Sequence, residues 1–209
     1  TLRLLMEMGS NFVLEEDGSI FIDSSTLTNL RADYSLVKTM RASILTLGPM
    51  LAKYKKAKIS LPGGCAIGTR PVNLHLDALE KMGAKIEVKN GYIHASAKEL
   101  VGTQINFDLV SVTATENIIM AATLAKGITT INNAAQEPEV TDLIRCLIKM
   151  GAKITGENTS TLIIEGVDHL DGVEYSICPD RIEAGTYLVA AAITGGKITV
   201  TNIEPDSMR

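Results

Sequence analysis

The 209-residue chain has no tryptophan, and aromatic residues make up only 4% of it. Its core must therefore be assembled from Ala, Ile, Leu, Val and Met. The net charge is −4 and no block of Lys or Arg stands out, which argues against nucleic acid as a partner, since affinity for a phosphate backbone comes from clustered cations. No apolar run exceeds the stretch Tyr187 to Ile193. That is far short of the roughly 20 residues that span a bilayer, so no membrane partner is expected. Only three cysteines occur, Cys65, Cys146 and Cys178. An odd, sparse set without CxxC spacing excludes a disulfide framework and a structural zinc site, and suits a reducing cytoplasm. No ligand cluster and no dinucleotide fingerprint is present, so no metal or organic cofactor is expected. The remaining balance, 45% apolar and 21% charged, is that of a globular protein.

The chain opens on Thr1 without an initiator Met, runs directly into Leu2, Leu4, Leu5, Met6 and Met8, and halts at Gly9. This pattern is that of the end of a helix, and the chain is expected to be a fragment.

An internal repeat organises the sequence. Leu79-Glu80-Lys81-Met82-Gly83-Ala84-Lys85-Ile86 matches Leu147-Ile148-Lys149-Met150-Gly151-Ala152-Lys153-Ile154, and Leu5-Met6-Glu7-Met8-Gly9 is a weaker third copy. Thr115 to Thr130 resembles Ala184 to Thr199, and Arg41 to Ser60 has the same helix-then-strand order. The repeat is about 70 residues, too long for a common solenoid unit. In each unit a helix stops at a glycine, where a left-handed C-cap is preferred. Short β-type runs follow, Lys85–Lys89 and Tyr92–Ser96 about Asn90-Gly91, and Lys153–Gly156 and Thr161–Glu165 about a polar turn. Then comes an Ala-rich helix, Thr115–Ala125 or Ile182–Ile193, apolar on all sides and so expected to be buried. A last run, Thr129–Asn132 or Lys197–Thr201, is expected as a strand. The spacing predicts an α/β (α+β) domain of about three such units packed about a pseudo-threefold axis, with the Ala-rich helices inside and the sheets outside.

The chemically conspicuous segment is Leu61-Pro62-Gly63-Gly64-Cys65-Ala66-Ile67-Gly68-Thr69-Arg70-Pro71. Glycines let backbone N–H groups approach an anion, and Pro71 suits the first position of a following helix, whose N-terminus favours negative charge. A thiol in that potential and beside Arg70 has a lowered pKa and can transfer protons or act as a nucleophile. On composition alone the better reading of Cys65 is a small buried hydrophobe, as most lone cysteines are. Cys146, beside Ile144, Leu147 and Met150 on a helix Pro138–Met150, reads as core, and Cys178 is undecided.

Pro62 to Pro71 is similar to the cysteine-loop signature of the enolpyruvyl transferases, specifically the UDP-N-acetylglucosamine 1-carboxyvinyltransferase branch. Leu36-Val37-Lys38-Thr39-Met40-Arg41-Ala42-Ser43, Ser111 to Ala122 and Pro179-Asp180-Arg181-Ile182-Glu183 agree with it, and the resemblance runs the length of the chain. It implies an inside-out α/β barrel-type domain of repeated βαβαββ-like units. It also implies transfer of the enolpyruvyl group of phosphoenolpyruvate to the 3-hydroxyl of UDP-N-acetylglucosamine, the committed step of peptidoglycan synthesis. Cys65 is implied to sit on a loop over the cleft, as general acid and as the residue alkylated by fosfomycin. Arg41 and Arg70 are implied to contact phosphoenolpyruvate. Pro71, Val72, Asn73, Leu74 and His75, with Ser111, Val112 and Thr113, fall where the family binds uridine diphosphate, although Asn73 replaces an expected Asp and Thr113 an expected Gly. Glu137, Glu139 and Asp180 match acidic positions lining or supporting the cleft. Asp180 reads equally as a helix N-cap.

The family has two such domains with the active site between them, and residues 1–209 account for one. An N-terminal lysine, and an aspartate and an arginine of the second domain, have no counterpart, so this chain alone is expected not to turn over. The rival expectations are a sister transferase acting on shikimate 3-phosphate, a non-catalytic nucleotide-sugar-binding domain, and a plain structural repeat domain with no ligand and an unreactive Cys65.

Overall fold

A computed structural model describes residues 1–38, 40–61 and 72–208, with only the backbone at Arg41. Two complete units follow one another with the same topology. The first comprises β3 (Arg31–Ala32), α2 (Tyr34–Val37), a 3-10 turn (Arg41–Thr46), α3 (Leu47–Tyr54), β4 (Lys56–Ser60), α4 (Asn73–Lys81), β5 (Lys85–Lys89) and β6 (Tyr92–Ser96). The second comprises β7 (Gln104–Asn106), α5 (Val112–Ala122), β8 (Ile128–Asn132), α6 (Pro138–Lys149), β9 (Lys153–Thr155) and β10 (Thr161–Glu165). Their four-stranded sheets have the orders β3-β4-β6-β5 and β7-β8-β10-β9. In each, the first two strands are parallel and the rest antiparallel. Before them stand α1 (Leu2–Glu7) and the hairpin β1 (Asn11–Leu14) with β2 (Ile20–Asp23), which repeat the α-β-β end of a unit.

The repeated Met-Gly motif is a helix stop in all three places. Gly9, Gly83 and Gly151 have φ of 101°, 97° and 99°. After each, the next amide bonds back to a carbonyl five residues earlier: Ser10 to Leu5, Ala84 to Leu79, Ala152 to Leu147. This is a Schellman cap, which needs a left-handed residue that glycine adopts without a Cβ penalty. Asn90 and Gly91, both at positive φ, close the two-residue turn that pairs Lys89 with Tyr92, as a type I′ hairpin requires.

The core lies where α5 packs on α3, α4 and α6. Ala114, Ile118, Ile119, Ala121 and Ala122 of α5 are fully buried, as are Leu47 and Leu51 of α3. Each large aliphatic side chain there contributes about 1.5–3 kcal/mol by leaving water. Gly48 permits a close approach of α3 to α5: a Cβ on it would lie 2.4 Å from the Asn117 carbonyl oxygen. The sheets cover this helical layer with one face each. In β10 Leu162 and Ile164 point inward while Thr161, Ile163 and Glu165 face out, the period-2 alternation of a half-buried strand.

The structure corrects three sequence expectations. The helix expected from Thr115 begins at Val112, because Ser111 caps it. The strand expected over Lys197–Thr201 is irregular chain, with no ladder partner among the described residues. The helix expected over Ile182–Ile193 does form, as α7 (Arg181–Thr194), but Ala184 is its only buried residue, and Ile193 is 79% exposed. Its composition resembles that of α5; what differs is that no apolar layer covers it among the described residues. None of the helices is long and apolar enough to cross a membrane, among the described residues.

Candidate active site

In each unit the first two strands run parallel, so the helices that follow them start on the same side. The predicted residues that the structure describes gather in those starts. Arg41 opens the 3-10 turn that leads into α3. Val72, Asn73, Leu74 and His75 form the beginning of α4. Ser111 is the N-cap of α5, its Oγ accepting from the Ala114 N–H at 3.3 Å, and Val112 and Thr113 are the first turn. Glu137 precedes Pro138 at the start of α6, and Glu139 lies in its first turn. Asp180 caps α7, with Oδ1 accepting from the Ile182 and Glu183 amides at 2.9 and 3.0 Å. Free N–H groups and the aligned peptide dipoles make such starts favourable to anions. Cys65, Arg70 and Pro71 lie outside the described residues.

Two of these groups are joined by direct bonds. His75 is buried, and its Nε2 meets Thr113 Oγ1 at 3.4 Å, linking α4 to α5. Leu74 packs on the core while Asn73 is exposed. The Thr113 side chain that replaces the expected glycine is thus turned to His75. On the other side, Arg181 holds Glu139 with a two-pronged bond, Nε to Oε1 at 2.9 Å and Nη2 to Oε2 at 3.2 Å. This fork fastens the head of α7 to that of α6 and sets Asp180 beside it. The fully buried Thr115 accepts the Ala135 N–H at 3.1 Å and so anchors the segment that delivers Glu137. Glu137 Oε2 is itself buried with no hydrogen-bond partner among the described residues.

Sequence reasoning missed Glu116. It projects from α5 toward Glu137 and Glu139, and its carboxyl is pushed up to about 7, first by burial and then by the charges of Glu139 and Glu137. The available signal was a single acid inside an otherwise apolar helix. Asn117, the next residue, was passed over as well, although it is fully buried.

Beside this cluster a cavity of about 650 Å³ is walled by α6 and residues 175–182, with Glu139, Cys146, Cys178, Asp180 and Arg181 among its lining. Tyr175 donates to the Asp142 carboxylate at 2.8 Å. Burial, then that bond, pushes its hydroxyl up to about 12. Burial also raises the Cys178 thiol, which makes it a poor nucleophile at neutral pH. Cys146 is half-buried on α6 and not enclosed as expected.

The whole chain, residues 1–209, matches the family model of EPSP synthase (3-phosphoshikimate 1-carboxyvinyltransferase). The chain belongs to this family. Its curated relatives include the UDP-N-acetylglucosamine 1-carboxyvinyltransferases of Ruthia magnifica, 76% identical over 209 residues, and of Hydrogenovibrio crunogenus, 57% identical over 208 residues. In both, the match covers 100% of this chain and 50% of the relative, so the chain spans about half the length of the curated relatives it matches. Among solved structures, the enolpyruvyl transferase NikO from Streptomyces tendae superposes with a TM-score of 0.76 at 20% identity, over 90% of this chain and 45% of that one. An EPSP synthase from Acinetobacter baumannii superposes with a TM-score of 0.69 at 22% identity, over 92% and 44%. These family members share the inside-out α/β barrel-type fold, built here from two like units with α3 and α5 between the sheets.

Proposed function

We propose that the complete polypeptide transfers the enolpyruvyl group of phosphoenolpyruvate to the 3-hydroxyl of UDP-N-acetylglucosamine and releases phosphate. The observation that carries this reading is the identity of 57–76% to relatives bearing the name UDP-N-acetylglucosamine 1-carboxyvinyltransferase. The chemistry of the site supports it. Both substrates are strongly anionic, and the predicted residues occupy helix starts, where backbone N–H groups meet negative charge. Arg41 and Arg70 take the carboxylate and phosphate of phosphoenolpyruvate, for which a planar guanidinium is shaped. Val72 to His75 and Ser111 to Thr113 border the uridine diphosphate. Cys65 gives a proton to the methylene carbon as the sugar oxygen adds to its neighbour. Asp180 stands at the reacting hydroxyl, and Glu137 and Glu139 shape the cleft.

In this reading residues 1–209 form one domain, and the rest of the polypeptide supplies the second wall of the cleft. The protein works in the cytoplasm as the first committed step of peptidoglycan and cell-wall synthesis. Catalytic groups must be held together to lower a barrier, so residues 1–209 alone bind weakly and do not turn over.

The test is phosphate release from phosphoenolpyruvate by the full-length protein, with UDP-N-acetylglucosamine in one reaction and shikimate 3-phosphate in another. Release only with the nucleotide sugar, abolished by Cys65→Ala, is the expected result. Release only with shikimate 3-phosphate would keep the fold and overturn the substrate. No release with either would leave a nucleotide-sugar-binding protein.

A further inference from the structure

The α4 and α5 helix starts and the 3-10 turn carrying Arg41 converge on one side chain. Asn117 is fully buried between them. Its Oδ1 accepts the Gly48 N–H at 2.8 Å, at the head of α3. Its Nδ2 donates to the Ile44 carbonyl, in the turn that begins at Arg41, at 3.2 Å. The same Nδ2 lies 2.9 Å from His75 Nδ1, on α4. One amide thus uses its acceptor and both its donors on the Ile44–Gly48 stretch and on His75, each far from it in sequence, which is close to its full bonding capacity.

These bonds fix the orientation of the amide and, through it, the state of the histidine. Turning the amide over would set its NH₂ against the Gly48 N–H and its oxygen against the Ile44 carbonyl. With the amide held, Nδ2 can only donate, so His75 Nδ1 must accept. The ring proton is then on Nε2, facing Thr113 Oγ1 at 3.4 Å. His75 is therefore held as the neutral Nε2–H tautomer, and its ring ties the first turn of α5 to α4.

Resting on the transferase reading of this site, we infer that Asn117 is a positioning residue: its buried amide locks the Arg41 turn, the head of α3, the start of α4 and the N-terminus of α5 into one arrangement, so that the groups meeting the two substrates keep a common geometry. Asn117 is enclosed and touches no substrate. It acts through the backbone of Ile44 and Gly48 and through the ring of His75. A common arrangement of these helix starts matters because misplacement of about 1 Å at reacting groups is costly in rate. A buried amide satisfied at every position is rigid, because each lost bond leaves an unpaired polar group in the core.

The test uses the full-length enzyme with Asn117→Leu, which keeps the shape and removes the bonds, and with Asn117→Ser, which opens space but can still reach one partner. Thermal melts establish the folded fraction. In the folded enzyme, Asn117→Leu is expected to lose at least tenfold in kcat/KM, with kcat lowered and the KM for phosphoenolpyruvate raised together, and Asn117→Ser to lie between it and the wild type. A purely structural role would lower the melting temperature and leave both constants of the folded enzyme within twofold, and that result overturns the inference. Failure of both variants to fold also overturns it, since the residue would then serve stability alone. A second readout does not depend on turnover: ¹⁵N NMR of His75 should show the Nε2–H tautomer in the wild type and a mixture in Asn117→Leu. A wild-type His75 that samples both tautomers refutes the inference even in an active enzyme, and an inactive wild type with the expected tautomer refutes only the transferase reading.

Discussion

Glu116→Gln should make the protein more stable at pH 8 and change nothing at pH 4.5. The Glu116 carboxyl is raised from an ordinary 4.5 to about 7, chiefly by burial and then by Glu139 and Glu137. Arg181 is engaged with Glu139. A carboxyl raised on folding holds its proton more tightly in the native state. Its favourable contribution is fully present below the unfolded value and is lost as pH rises through the folded one. At full strength the shift corresponds to roughly 3 kcal/mol, at 1.36 kcal/mol for each pH unit. Part of the side chain faces solvent, and screening there reduces the figure to about 1–2 kcal/mol. Glutamine has the shape of the protonated acid and never ionises. The assay is urea denaturation of wild type and Glu116→Gln at several pH values, with a ¹³C-carboxyl titration to locate the pKa directly. The stability difference should grow from nothing near pH 4.5 to about 1–2 kcal/mol in favour of glutamine at pH 8. A difference that is flat with pH, or glutamine being the less stable at pH 8, would refute the reasoning.

Gly48→Ala should destabilise by several kcal/mol, because the added Cβ falls 2.4 Å from both the carbonyl and side-chain oxygens of Asn117, well beyond ordinary overpacking of about 1–3 kcal/mol. A melting curve checks it, and an unchanged transition would show that α3 and α5 can part without cost. Asp180→Ala should cost about 1 kcal/mol in the stability of α7 through loss of its cap, read as faster amide exchange at Ile182 and Glu183. Asp180→Ser should restore the protection; if it also restores turnover in the full-length enzyme, Asp180 serves the helix and not the chemistry.

Much of the local structure is legible in the sequence. Each Met-Gly stop and the Asn90-Gly91 turn depend on residues within a few positions of one another, and they appear where the pattern puts them. The collection of site residues at helix starts was reachable through the family resemblance and not through spacing. What failed depends on distant surfaces. The α5 and α7 helices look alike in composition, yet only α5 is buried, since burial is decided by what packs against a helix and periodicity reports only the helix itself. Lys197–Thr201 has strand composition, but a strand exists only with a neighbour to bond. Glu116 and Asn117 look like two polar interruptions of an apolar run. Their meaning comes from Glu137 and Glu139 in one case, and from Ile44, Gly48 and His75 in the other, and no local rule points to partners tens of residues away.

The duplication of the unit also bears on how the chain finds its fold. Two like sheets on one polypeptide offer each strand a wrong partner of similar sequence, and repeated domains are prone to such exchange. The two hairpins differ in their turns. One closes with two residues between the pair Lys89 and Tyr92, while the other closes with residues 156–162 between Thr155 and Ile163 and pairs only three positions, as far as Lys153 with Glu165. In the longer turn, Gly156 sits so close to the Thr161 carbonyl that a Cβ there would lie at 2.0 Å. In both hairpins the core-facing side chains fall at matching places, Ile93 opposite Ile59 and Leu162 opposite Ile131, so inward alternation alone does not tell the two sheets apart. The unequal turns are what distinguishes the two sheets, since turn type and loop length set the register of a hairpin.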